Sequence, residues 1–366
     1  MNEPILEMRN ISKTFPGVKA LSEVTFNVLP GEIHCLVGEN GAGKSTLMKV
    51  LSGVYPHGTY EGDIVFKGAI QKFKRISDSE KTGIAIIYQE LALVPEMTIY
   101  ENIFLGHEIK KGITVDWNET IKEAEKMLKM VRLNVNPTTK VKDLGVGQQQ
   151  LVEIAKALCK NVKVLILDEP TAALNEDDCD NLLKLLEELK QKGVTCVLIT
   201  HRLKEVLHIA DRVTILRDGQ TICTLNNRQG EVTEPVLIKN MVGREIDNIY
   251  PERKHERSQE VVLEVKDWNA YDPSLGRKVL KEMNFKLMKG EIIGFAGLMG
   301  SGRTELAHSL FGNPDGYQLQ GEIKLHGKTK KFSRPAKAIA AGIAYASEDR
   351  KGDGLILIQD IKQNIT

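Results

Sequence analysis

An α/β fold with a mixed, mainly parallel sheet at its core, occurring twice along the chain, is what these 366 residues predict. Three observations carry that expectation. Apolar runs of strand length (Ile33–Val37, Ile84–Tyr88, Val164–Asp168 and Gly193–Thr200) alternate with segments of helical spacing. Such alternation lays parallel strands side by side. A glycine-rich loop leads from the first run into the first helix, Lys44–Leu51. Finally, Gly31-Glu32-Ile33 with Gly38–Ser45 reappears as Gly290-Glu291-Ile292 with Gly297–Thr304, 259 residues on from Gly38 to Gly297. The flanks recur too: Ile5–Met8 as Val262–Val265, Gly62–Ile64 as Gly321–Ile323, and Gly83–Ala85 as Gly342–Ala344. A repeat at so long a period is a duplicated domain, not a solenoid.

Taken in order, residues 1–249 form the first domain. Within it, 91–151 reads as a helix-rich insertion, where Asp116 and Glu119 resemble a capping box before Ile121, Ala124, Leu128 and Val131. Leu144–Gln148 is a small-residue loop before a helix beginning near Gln149, and Asn181–Lys192 is amphipathic. Residues 250–260 are charged and without apolar periodicity, so they read as a linker or a solvated helix face. The second copy, 261–366, reaches 107 residues into the repeat frame and is expected to be incomplete.

Composition excludes several classes. With 50 basic against 49 acidic residues, the net charge of +1 lacks the excess of a dedicated nucleic-acid binder. No apolar run reaches the length of a membrane span, and Met1–Pro4 does not open a secretory signal, so a soluble chain is expected. Five cysteines with no C-x-x-C pair predict reduced thiols, not a disulfide or zinc site; Cys35 and Cys196 lie in strand-like runs.

Chemistry concentrates at four places. Gly38–Ser45 fits G-x-x-x-x-G-K-[ST], whose glycines let backbone N–H groups turn inward around phosphate. Lys44 then reaches the β- and γ-phosphates, Ser45 offers a hydroxyl to Mg²⁺, and the following helix aims its N-terminus at the anion. Val164–Glu169 is an apolar run ending in two acids, so Asp168 is placed to hold Mg²⁺ through water and Glu169 to polarise an attacking water. His201 follows the run Gly193–Thr200 and is placed near the γ-phosphate; the other seven histidines have no such context. Gln89, at the end of Ile84–Tyr88, offers an amide to Mg²⁺ or water.

These motifs, in this order, resemble the ATP-binding subunits of ABC transporters, a class of P-loop NTPase, over the whole chain. The resemblance implies Walker A at Gly38–Ser45, the Q-loop at Gln89, the signature at Leu144–Gln148 and Walker B at Val164–Asp168. It further implies Glu169 as the catalytic glutamate, His201 as switch histidine and Lys44 as phosphate ligand. Gly38, Asn40, Gly41, Gly43, Lys44, Ser45 and Thr46 would wrap ATP, with Ser45, Gln89 and Asp168 on Mg²⁺. Phe15 would stack on adenine, unless its ring belongs to the core. Phe15–Leu21, Gly38–Lys49, Val146–Gln150 and Gly297–Glu305 look like the fused double-ATPase subunits of bacterial monosaccharide importers. Gly53–Tyr60 looks most like the xylose and multiple-monosaccharide members.

That resemblance implies ATP hydrolysis driving sugar import through membrane permease subunits, at the cytoplasmic face of the membrane. A sugar-binding protein would be an indirect partner, a second ATPase domain or second copy a direct one, and nucleic acid none. The alternatives are a soluble ABC ATPase of translation or DNA repair, and a nucleotide-binding module without turnover. Departures from the pattern fall mainly in copy two. Arg303 stands at the P-loop lysine's place, and Glu348 aligns with Gln89. In copy one, Gly145 replaces the usual signature serine and Asn175 the usual D-loop acid. Copy two is therefore expected to bind nucleotide poorly, or to bind it without turnover. In this family each ATP lies between one domain's Walker A and the other's signature, so the chain alone is expected to turn over slowly.

Overall fold

A computed structural model describes residues 3–89, 91–160, 162–172, 174–227, 232–243, 258–298, 300–347 and 350–365. The chain divides into two units, Met1–Ile249 and Tyr250–Thr366. The first begins β1 (Leu6–Phe15), β2 (Val18–Val28), β3 (Ile33–Val37), α1 (Lys44–Leu51), β4 (Glu61–Phe66), β5 (Ala69–Gln71), α2 (Ile76–Thr82) and β6 (Ile84–Ile87). The insertion follows: α3 (Ile99–Phe104), the two-residue strands β7 (Lys110–Lys111) and β8 (Thr114–Val115), α4 (Trp117–Met130) and α5 (Val146–Leu158). Then come β9 (Val164–Asp168), α6 (Glu176–Gln191), β10 (Thr195–Ile199), α7 (Leu203–Ile209), β11 (Arg212–Arg217), β12 (Gln220–Asn226) and α8 (Glu234–Val242).

Two large sheets result. One, ordered β12-β11-β3-β10-β9-β6, is parallel except for β12. Every residue of β3, β9 and β10 is buried, as expected of strands covered on both faces. Leu165, Leu167 and Leu198 face α5 and α6 through Val152, Leu182 and Leu186. On the opposite face Val164, Ile166 and Val197 meet α1 through Leu47, Met48 and Leu51. The other sheet, β2-β1-β4-β5, is antiparallel and closes over α1 with Leu6, Met8, Phe26 and Ile64. That second sheet is an addition to the mainly parallel core the sequence predicts.

Element boundaries shift where local capping wins. α6 begins five residues before the predicted Asn181, because the Asn175 side chain accepts from the Asp178 N–H at 2.8 Å. Glu176, Asp177 and Asp178 then place negative charge at the helix N-terminus. α5 begins at Val146 instead of near Gln149, with the Gln148 Oε1 accepting from the Gly145 N–H at 3.2 Å. Asp116 caps α4 by accepting from the Glu119 N–H at 3.1 Å. All five cysteines are free, with Cys35 and Cys196 buried in β3 and β10.

The second unit repeats the opening of the first. β13 (Val261–Asp272), β14 (Arg277–Met288), α9 (Arg303–Leu310), β15 (Gln318–Leu325), β16 (Lys328–Lys330), α10 (Pro335–Ala340) and α11 (Ile361–Ile365) include a sheet ordered β14-β13-β15-β16. This matches β2-β1-β4-β5, and α9 and β16 fall on α1 and β5 when shifted by the repeat interval. The counterpart of β3 does not form a strand: Ile292 is 87% and Phe295 46% exposed. In the first unit β3 is hydrogen-bonded between β10 and β11; among the described residues of the second unit no strand flanks the equivalent run.

His34, unremarkable in sequence, is fully buried on β3. Its Nδ1 lies 2.9 Å from Glu32 Oε1 and its Nε2 2.8 Å from Thr214 Oγ1. Burial pulls it below the ordinary histidine range, against the opposing pull of Glu32. A base lowered in the folded state contributes stability above its unfolded value of about 6.5, which is lost as pH falls. The thermal midpoint is therefore expected to be flat above about pH 7 and to fall below about 6.5. Calorimetry of His34→Asn should show that acid-side slope reduced; an unchanged slope would assign it to other groups.

Candidate functional site

β3, β10, β9 and β6 are adjacent and parallel, so their C-terminal ends share one sheet edge. Ligands bind at such edges in open α/β sheets. From these ends emerge, in spatial order, the glycine-rich loop, His201, Asp168 with Glu169, and Gln89.

The loop's shape needs its glycines at two points. Gly43, the residue before α1, has φ +101°, and a Cβ there would lie 2.7 Å from Leu21 Cδ2 and 2.9 Å from the Ala20 carbonyl. At Gly38 a Cβ would strike the Leu216 carbonyl oxygen. The loop is thus clamped between β2 and the end of β11. Lys44 is 6% exposed, and its Nζ donates to the Gly38 and Glu39 carbonyls at 2.8 and 2.9 Å. Burial holds the Lys44 ammonium's pKa below the ordinary lysine range, against the opposing charges of Glu169 and Asp168. Asn40, Gly41 and Ser45 are exposed and Thr46 half-buried along the rim.

Burial pushes the Asp168 carboxyl above the ordinary carboxylate range, partly offset by a hydrogen bond donated from the Ser45 hydroxyl. A hydroxyl paired with a carboxylate is the hard oxygen donor set that suits Mg²⁺, which keeps waters and phosphate oxygens as its remaining ligands. Among the described residues no cluster of three or more His, Cys, Asp or Glu could hold a metal by itself. Gln89 is exposed beyond β6 on the same edge.

Glu169 adopts φ +48°, unusual for a residue with a side chain, and its N–H donates to the Ile199 carbonyl at 2.9 Å. This turn points it across to β10, where His201 Nδ1 lies 3.4 Å from Glu169 Oε1. Sequence reasoning named both residues but could not tell that they touch.

Phe15 is half-buried at the end of β1 and meets Tyr55 edge-on at 5.4 Å between ring centroids. The buried ammonium of Lys13 lies 5.2 Å from the Phe15 ring and 5.0 Å from the Tyr55 ring. Neither Lys13 nor Tyr55 stood out in the sequence, since their meeting depends on long-range packing. Gly145 is exposed at the start of α5, with open space where a Cβ would sit, so a serine would fit there.

In the second unit Gly300 and Gly302 repeat the positive φ of Gly41 and Gly43, and Gly302 precedes α9 as Gly43 precedes α1. Arg303, however, is exposed where Lys44 is buried. Glu348 lies outside the described residues.

Residues 21–172 match the family model described as ABC transporter. The chain is 60% identical, over all its length and 71% of the relative's, to the L-arabinose transport ATP-binding protein AraG of Geobacillus stearothermophilus. It is 56% identical, over all its length and 72% of the relative's, to the xylose import ATP-binding protein XylG of Thermoanaerobacter pseudethanolicus. Among solved structures, a nucleotide-free ATP-binding cassette from an ABC transporter matches with TM-score 0.58 and 29% identity, over 68% of this chain and all of that one. The ADP conformation of the cassette MJ1267 matches with TM-score 0.58 and 30% identity, over 66% of this chain and all of that one. A phosphate loop, two acids and a histidine on one sheet edge, in a chain with these relatives, identify it: the protein belongs to the ABC transporter family, as one of its ATP-hydrolysing ATP-binding proteins.

Proposed function

We propose that the first unit hydrolyses ATP to power import of a monosaccharide, a pentose of the xylose or arabinose kind, through partner membrane subunits. The observation that carries the chemistry is the shared edge of β3, β10 and β9, where Lys44, Asp168, Glu169 and His201 converge with Glu169 and His201 at 3.4 Å. Lys44 and the loop N–H groups hold the phosphates, with Gly38, Asn40, Gly41, Gly43, Ser45 and Thr46 along the chain's path around them. Ser45, Asp168 and Gln89 would hold Mg²⁺, which would screen phosphate charge when bound. Glu169 accepts a proton from the attacking water, His201 orients that carboxylate and the γ-phosphate, and Phe15 stacks on the adenine.

The names of the relatives support the import role, with a sugar-binding protein as an indirect partner and the cytoplasmic membrane face as the place of work. No described helix is long and apolar enough to cross a membrane, so spanning would fall to the partner subunits. Exposed Val94, Leu105, Ile113 and Trp117 in and beside the insertion support docking there. We assign residues 1–249 to the first ATPase domain, 250–260 to the linker and 261–366 to the opening part of a second, degenerate domain, supported by the repeated sheet order. A facing signature loop would complete each ATP site, from the second domain or from another copy.

Phosphate release measured against protein concentration tests this reading. Specific activity is expected to climb with concentration, as a site shared between two chains requires. Constant specific activity down to dilute protein would overturn the shared site, and no release at any concentration would overturn turnover by this chain alone.

A further inference from the structure

We infer that Glu205 is a positioning residue for ATP hydrolysis, holding the two loops that present Glu169 and His201; the inference rests on the roles proposed above for those two residues. Glu205 lies in the first turn of α7, 8% exposed, four residues beyond His201. Its Oε2 accepts from the Thr171 hydroxyl at 3.0 Å and from the Thr200 hydroxyl at 3.1 Å. Its Oε1 accepts from Arg202 at 3.2 Å. Thr171 and Thr200 are each 1% exposed. One carboxylate thus joins the residue two beyond Glu169 to the residues on both sides of His201.

The tie is continuous. The Thr200 hydroxyl donates to Glu205 and accepts from the Arg202 N–H at 3.0 Å, fixing the turn that carries His201. On the other side the Thr171 carbonyl accepts from the Leu174 N–H at 3.2 Å, closing the turn after Glu169. Arg202 also reaches Cys179 Sγ on α6 at 3.1 Å, so the cluster is braced on a third element. Glu169 itself sits at φ +48°, a conformation that persists only where its surroundings enforce it. Glu205 touches neither Glu169 nor His201; it supplies part of the enforcement from behind both loops.

Single-turnover phosphate release with the full chain in excess over ATP, together with hydrogen–deuterium exchange, tests the inference. Glu205→Ala leaves two buried hydroxyls without their acceptor, and the rate constant is expected to fall by roughly 100-fold, the scale of a misplacement near 1 Å. ATP affinity is expected to stay within about twofold, because the phosphate loop lies on other elements. Glu205→Gln keeps an oxygen for both threonines and is expected to recover the rate to within about tenfold of the parent. In Glu205→Ala, exchange in peptides spanning Thr171 and Thr200 should rise together, while β9 and β10 stay protected. Loss of affinity in step with rate, or no difference between the alanine and glutamine variants, would overturn the assignment. Should the parent chain release no phosphate, the proposed turnover fails, and exchange still decides: unchanged exchange at Thr171 and Thr200 overturns the positioning role, and a joint rise sustains it.

Discussion

Glu169→Gln is expected to slow phosphate release from this chain by roughly 100- to 10,000-fold, the range over which a positioned acid or base contributes. Glutamine is nearly isosteric and keeps the backbone bond from residue 169 to the Ile199 carbonyl, so the φ +48° turn should survive. The amide cannot accept a proton from water, and it replaces the carboxylate–imidazole contact with His201 at 3.4 Å by a weaker neutral one. Lys44 and its two carbonyl partners are untouched, so ATP affinity is expected to stay within about threefold. Filter binding and single-turnover release separate the two effects. A variant that keeps the parent's rate would remove Glu169 from the chemistry. One that loses affinity and rate together would make it a phosphate-site residue instead.

The sites that were legible in the sequence are those written in contiguous residues. Gly38–Ser45 encodes its own turn, and β3 and β9 fall on the predicted apolar runs because each run ends where polar chemistry begins. The antiparallel sheet was not legible, since β1 pairs with β4 some fifty to sixty residues away and the exposed residues within both strands interrupt the apolar runs. The start of α6 was hidden because Glu176, Asp177 and Asp178 look like a polar loop until Asn175 caps them. Glu205 gives no local signal at all. Its partners Thr171 and Thr200 lie on different strand exits, and only the parallel register of β9 and β10 brings them to one carboxylate. His34 was unremarkable for the same reason, its partner Thr214 being 180 positions away.

The same distinction between local motif and tertiary setting governs the second copy, and Lys44→Arg transplants its main departure into the first. The loop backbone accepts either residue: Gly43 and Gly302 have φ of +101° and +93°. The side-chain setting does not. Lys44 is 6% exposed with its ammonium between two carbonyls, at 2.8 and 2.9 Å. A planar guanidinium is larger, holds its donors in a fixed fork and does not fold into a pocket shaped for a compact cation. Arg303 is exposed. Losing the two charge-assisted contacts that the ammonium is proposed to give the β- and γ-phosphates, about 1.5 kcal/mol each, predicts a fall in ATP affinity on the order of 100-fold for Lys44→Arg, although the charge is kept. Lys44→Met, which loses the charge too, should bind more weakly still. The comparison separates charge from shape. Arginine binding as well as lysine would mean that charge alone suffices, and that Arg303 leaves the second copy competent to hold ATP. Arginine falling to the level of methionine would place the whole requirement in the fit of the ammonium between the Gly38 and Glu39 carbonyls.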